Sequence, residues 1–139
     1  MKRRISELSK SEIDRACDLH KKAIVINALD STDLFMYEKL SYPVRLKEAG
    51  CTAINVTIPG VGSGFVQSMK DVVRWYSALN KYSSFLTQAL SAEDIRKAKK
   101  DGKVGLIFGT QNTKCIEDDV TSLELFHRLG FRILQLTYQ

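Results

Sequence analysis

Three glycines constrain this chain more than anything else in it. Gly50, Gly102 and Gly130 each close an amphipathic stretch and open a short apolar run: KEAG before CTAINVT, KKDG before KVGLIFGT, HRLG before FRILQLT. A helix that ends this way needs a residue at φ > 0, which glycine supplies without a Cβ clash. The runs that follow are short, rich in Val, Ile and Thr, and apolar on both faces. That is the pattern of parallel strands covered by helices on two sides. An earlier run over residues 23–29, AIVINAL, has the same character.

Helices are predicted in the gaps. The first covers residues 11–22 with Ser11 as its N-cap. The second starts at Ser41-Tyr42-Pro43, where proline sits at an early helical position and its missing N–H does no harm. The third, over residues 66–79, carries Met69, Val72, Val73, Tyr76 and Leu79 at helical spacing. Ser91 and Asp94 make a capping-box pattern for a fourth. The fifth spans residues 117–129, with Glu117, Asp118 and Asp119 in a first turn where the helix dipole favours acids. Strands separated by helices pair in parallel through right-handed crossovers. The expected fold class is therefore α/β: a partial (β/α)8 barrel of four parallel strands with intervening helices. It forms a single domain over residues 1–139, with 1–22 as a leading helix. A complete barrel takes about 250 residues, so four strands in this length make an N-terminal half. Half a barrel leaves two strand edges unpaired, so self-association is expected.

Composition narrows the function classes. With 44% hydrophobic and 27% charged residues the chain is an ordinary globular one. Its net charge of +5 comes mainly from the first residues and from Arg96-Lys97-Lys99-Lys100. These sit at helix ends, without the aromatic interleaving of a nucleic-acid surface, so no nucleic-acid partner is expected. No run approaches the roughly 18 apolar residues of a membrane span, and no apolar stretch follows the arginines of MKRRISELS as a leader would require. Cys17, Cys51 and Cys115 are odd in number and form no CxxC pair, which fits reduced thiols in the cytoplasm.

In parallel α/β folds chemistry gathers at the carboxyl ends of strands. Here those ends carry Asp30 and Ser31 with Asp33 after them, then Thr57 to Gly60, then Gln111-Asn112-Thr113, and finally Leu136 to Gln139. The amides of Gln111 and Asn112 suit a substrate carbonyl or carboxylate; they serve equally well as caps of the turn into the next helix. Asp30 suits a metal or a general base, and equally an Asx turn. His20 and His127 fall near helix ends, with no HxH, HxD or HExxH spacing, and are read as dipole partners. The loop Gly60-Val61-Gly62-Ser63-Gly64 precedes a helix and could hold a phosphate there, although it matches neither a GxGxxG fingerprint nor a P-loop. Trp75 and Tyr76 are read as packing residues.

The segment GKVGLIFGTQNTKCIEDDVTSLELFHRLGFRILQLTYQ resembles the membrane (renal) dipeptidase family of zinc metallopeptidases, within the amidohydrolase-like barrels. HKKAIVINALDS looks like that family's first strand, and LKEAGCTAINVTIPGVGSG like its second strand and loop. The resemblance covers residues 18–139. It implies a TIM barrel, a zinc-dependent hydrolase and dipeptide substrates. In that family the first strand ends Asp-Gly-His-x-Asp, with zinc on the histidine and the second aspartate, and a later strand delivers a metal-bridging glutamate. At the matching positions this chain has Leu29, Ser31 and Gln111. An amide oxygen is a far poorer ligand for a divalent cation than a carboxylate. The expectation is a dipeptidase-like metallohydrolase by descent that binds no zinc and hydrolyses no dipeptide alone. The alternatives are a non-catalytic module that holds a small peptide or other polar ligand with Gln111, Asn112 and Asp30, and a phosphate- or nucleotide-binding α/β domain.

Overall fold

A computed structural model of the chain describes residues 8–137. The first seven residues of the leading segment and residues 138–139, where the fourth expected strand was to end, lie outside the described residues. The elements in chain order are α1 (Lys10–Lys22), β1 (Ile26–Asp30), α2 (Leu34–Lys39), α3 (Tyr42–Glu48), β2 (Ala53–Thr57), α4 (Phe65–Lys81), β3 (Leu86–Gln88), α5 (Ala92–Lys100), β4 (Val104–Thr110), a 3₁₀ turn (Lys114–Ile116), α6 (Ser122–Arg128) and β5 (Phe131–Leu134).

Every strand pairing is parallel: β1 with β2, β2 with β4, and β4 with β5. These are the four expected strands, side by side in chain order. The short strand β3 is an addition. It pairs with the first half of β4 (Val104 to Leu106), while β5 pairs with the last (Phe108 to Thr110), so the two share one edge of β4. Three residues are too few to show a period, which is why β3 is not legible as a strand. The same holds for the six-residue helix α2. Its N-cap Asp33 accepts a hydrogen bond from Met36 N at 2.8 Å.

The glycine punctuation is as expected. Gly50, Gly102 and Gly130 have φ of 74°, 64° and 88°. The core lies between the sheet and the helices on one face, where Ile54, Val56, Leu106 and Phe108 meet Val72, Trp75 and Leu79 of α4. Each such buried side chain contributes about 1.5–3 kcal/mol through the water it excludes. Tyr37 of α2 stands edge-on to Trp75, ring centroids 4.9 Å apart.

Three expectations need correction. Helix α1 is capped by Ser9, not Ser11. The Ser9 hydroxyl accepts from Glu12 N, and the Glu12 carboxylate reaches back to Ser9 N at 2.8 Å, a reciprocal pair. Helix α6 begins at Ser122, so Glu117, Asp118 and Asp119 precede it and are not in its first turn. The first apolar run is not buried on both faces: in β1 only Asp30 is buried, and Ile26 and Leu29 are about half exposed. β1 has a single sheet neighbour, and α1 buries none of its residues. β5, on the other flank, likewise buries only Phe131.

Candidate functional site

Three strands deliver the walls of one cavity of about 340 Å³ at the carboxyl rim of the sheet. β1 leads into Ser31, β2 ends at Thr57, and β4 runs on into Gln111, all of which line it. Gln111 is 6% exposed, and its Nε2 donates to Thr57 Oγ1 at 3.0 Å. This bond ties the loop after β4 to the end of β2 and fixes which way the amide points. Buried Trp75 and Pro59 form part of its wall, while the exposed Phe35 and Val61 stand at the mouth.

Helix α4 adds charge. Asp71 and Arg74 face the cavity one turn before or beside Trp75, with Arg74 Nη1 3.5 Å from Asp71 Oδ1. Gln67 Nε2 donates to the same carboxylate oxygen at 2.9 Å. The site is thus a pocket with an aromatic wall and one guanidinium held on α4, two carboxylates, and a buried amide in the loop directly after β4.

Of the residues singled out from sequence, Gln111 and Ser31 reach this cavity, as does Asp33, which is occupied as the cap of α2. Asn112 does not line it: its Oδ1 accepts from Lys114 N at 3.1 Å and opens the 3₁₀ turn. Asp30 is buried on the helix side, where it accepts from Tyr42 Oη at 2.9 Å and Thr32 N at 2.8 Å. Burial, then the hydrogen bond to Asp30, pushes the Tyr42 hydroxyl above the usual tyrosine range. Leu29 lies half exposed outside the cavity. Thr57, expected at a strand end without a role of its own, also lines the cavity, whereas Asp71 and Arg74 were missed. The available signal was the charged pair at i and i+3 beside the one tryptophan, on a helix otherwise read for its apolar stripe.

The histidines and the glycine loop serve structure. His20 Nε2 donates to the Ala49 carbonyl at 2.8 Å, complementing the end of α3 and not of its own helix. His127 stands in the last turn of α6, where a basic side chain complements the helix dipole. At the N-terminus of α4, after the glycine loop, the Glu117 carboxylate already accepts from Phe65 N at 2.9 Å. A phosphate placed there would meet a like charge, which counts against a phosphate site.

A two-metal hydrolase centre needs several converging carboxylates and imidazoles. Among the described residues no three His, Cys, Asp or Glu side chains converge in this way. The cavity offers the Gln111 amide engaged with Thr57, the Ser31 hydroxyl, and two carboxylates, Asp33 and Asp71, that already accept from Met36 N and Gln67, with no imidazole among them, a donor set that does not fit such a centre.

A parallel β/α sheet with its cavity at the carboxyl rim is the architecture of (β/α)-barrel hydrolases, and solved structures of that class are similar. An amidohydrolase from Pseudomonas aeruginosa matches with a TM-score of 0.74 and 29% identity, over 87% of this chain and 36% of that one. The probable dipeptidase PvdM from Pseudomonas aeruginosa gives 0.79 and 14%, over 94% and 38%. A metallo peptidase from Rhodobacter sphaeroides, liganded with a phosphinate mimic of the dipeptide L-Ala-D-Ala, gives 0.65 and 15%, over 80% and 44%. The chain belongs to the membrane dipeptidase family (Peptidase family M19), whose model matches residues 44–139. That family is one of metal-dependent peptidases. The chain spans less than half the length of the solved structures it matches. No curated protein matches it. Among the described residues no helix is long and apolar enough to cross a membrane.

Proposed function

We propose that this chain is a dipeptidase-type scaffold whose rim cavity holds a small polar ligand, and that these 139 residues alone hydrolyse no dipeptide and bind no stoichiometric zinc. One observation carries the reading: Gln111, buried at the carboxyl rim, gives its amide to Thr57, and Ser31 rather than a carboxylate holds the cavity-lining position just after β1. Such groups orient a ligand; they do not activate water at neutral pH as a metal-bound hydroxide does. The test is metal analysis of the purified protein, with dipeptide hydrolysis followed in added zinc, cobalt or manganese. Background hydrolysis and substoichiometric zinc are expected. Metal-dependent turnover with zinc near one per chain would sink the proposal.

The partners follow from the same surface. The ligand is a small peptide or another small polar molecule, and neither nucleic acid nor a membrane is a partner. The cytoplasm is the proposed compartment, supported by three free thiols at Cys17, Cys51 and Cys115. Cell fractionation tests it, and recovery of the protein from an oxidising compartment would refute it.

A further inference from the structure

We infer that Arg74 makes the rim cavity selective for a monocarboxylate with a compact apolar body. The inference rests on the reading of the cavity as a ligand site and adds the class of ligand.

Most polar groups of the cavity already hold a protein partner through at least one atom. The Asp33 carboxylate accepts from Met36 N as the cap of α2. Asp71 Oδ1 accepts from Gln67 at 2.9 Å. The Thr57 hydroxyl accepts from Gln111. Among the described residues two lining groups stand apart: the Ser31 hydroxyl, which has no such partner, and Arg74, the only cation of the lining. A guanidinium has five N–H donors in a planar fork. Its one polar partner among the described residues is Asp71, at 3.5 Å, the long limit of an ion pair. Most of the fork therefore faces water at the cavity wall, with 65% of the side chain exposed. The group that matches a free fork is a planar carboxylate, which takes two parallel N–H bonds.

Two further features choose among anions. Asp33 and Asp71 both line the cavity, so a doubly charged phosphate meets like charge where a single carboxylate meets less. Around the mouth, Phe35 and Val61 are largely exposed and offer cover for an aromatic or aliphatic body. Lys39 Nζ lies 5.7 Å from the Phe35 ring centroid and adds a second positive charge near that entrance.

Trp75 is the only tryptophan of the chain and lines the cavity, so its fluorescence reports occupancy directly. The experiment titrates the full chain with phenylacetate, with the neutral isostere phenylacetamide, and with inorganic phosphate. Phenylacetate should bind at least about tenfold more tightly than the amide. Arg74→Gln should remove that preference and leave the amide unaffected, while Arg74→Lys should restore only part of it, because an ammonium lacks the fork. Arg74 is exposed, so neither variant threatens the fold. Equal binding of acid and amide would overturn the role of Arg74 and leave the cavity reading standing. Phosphate binding more tightly than phenylacetate would overturn the ligand class. No response of Trp75 to any probe would overturn the inference together with the cavity reading.

Discussion

Glu117 and Phe65 lie 52 residues apart, yet the carboxylate of the first accepts the backbone N–H of the second at 2.9 Å. Gly64, the N-cap residue of α4, has no side chain with which to cap it. Glu117 does that work from the loop before α6, placing a negative charge against the positive end of the longest helix.

Glu117→Ala should therefore cost about 1 kcal/mol, the usual worth of a lost N-cap. Glu117→Gln, which keeps an acceptor oxygen but not the charge, should cost less. Gly64→Ala should reproduce much of the loss, because a Cβ there would lie 2.8 Å from Glu117 Oε1. Urea denaturation of the three variants measures this, and a Glu117→Ala protein as stable as the parent would refute it.

Gly109 on β4 should be intolerant of any side chain. A Cβ at this position would collide with the Asn55 side-chain amide and come within 3.1 Å of Ile133 Cβ. Asn55 cannot yield freely, since its Nδ2 donates to the Ala28 carbonyl at 2.9 Å and links β2 to β1. Gly109→Ala is expected to destabilise by about 1–3 kcal/mol, the cost of overpacking a core. A shift in the urea midpoint at constant slope checks it.

Alkali should weaken the fold. Burial is the main cause that raises the Tyr37 and Tyr42 hydroxyls and the Cys51 and Cys115 thiols above their ordinary values of 10.0 and 9.0. The folded chain keeps protons that the unfolded chain releases, so the stabilisation is complete below pH 9.0 and declines as pH rises past 9.0 and 10.0. Tyr37→Phe should flatten this decline. It should do so at little cost near neutrality, because the Tyr37 hydroxyl is buried without a partner among the described residues. Melting temperatures from pH 7 to 11 test the slope.

The two flanks of the sheet should drive self-association. β1 and β5 each have one sheet neighbour, and Ile26, Leu29 and Ile133 are 47%, 49% and 39% exposed on them. Unpaired edges with apolar cover are templates for pairing with another chain. Sedimentation velocity should show association that grows with concentration and falls in a Leu29→Lys, Ile133→Lys variant. A monomer at every concentration would count against it.

The positions of the strands and their parallel order were legible because both are local in origin. A glycine at φ > 0 ends a helix wherever it stands, as Gly50, Gly102 and Gly130 do, and an apolar run after it has only a sheet to join. Gln111 was legible for a related reason: it directly follows a strand, and strand ends meet at one rim. Tertiary structure alone decided the rest. Which amide turns inward (Gln111) and which caps its own turn (Asn112) depends on Thr57, more than fifty residues away. Glu117, in the stretch before α6, acts on α4, and Arg74 joins a cavity whose other walls come from three strand ends, α2 and the loop after β2. Periodicity records the geometry of neighbours in the chain; it carries no information about which distant groups the closing of a sheet brings within hydrogen-bond reach.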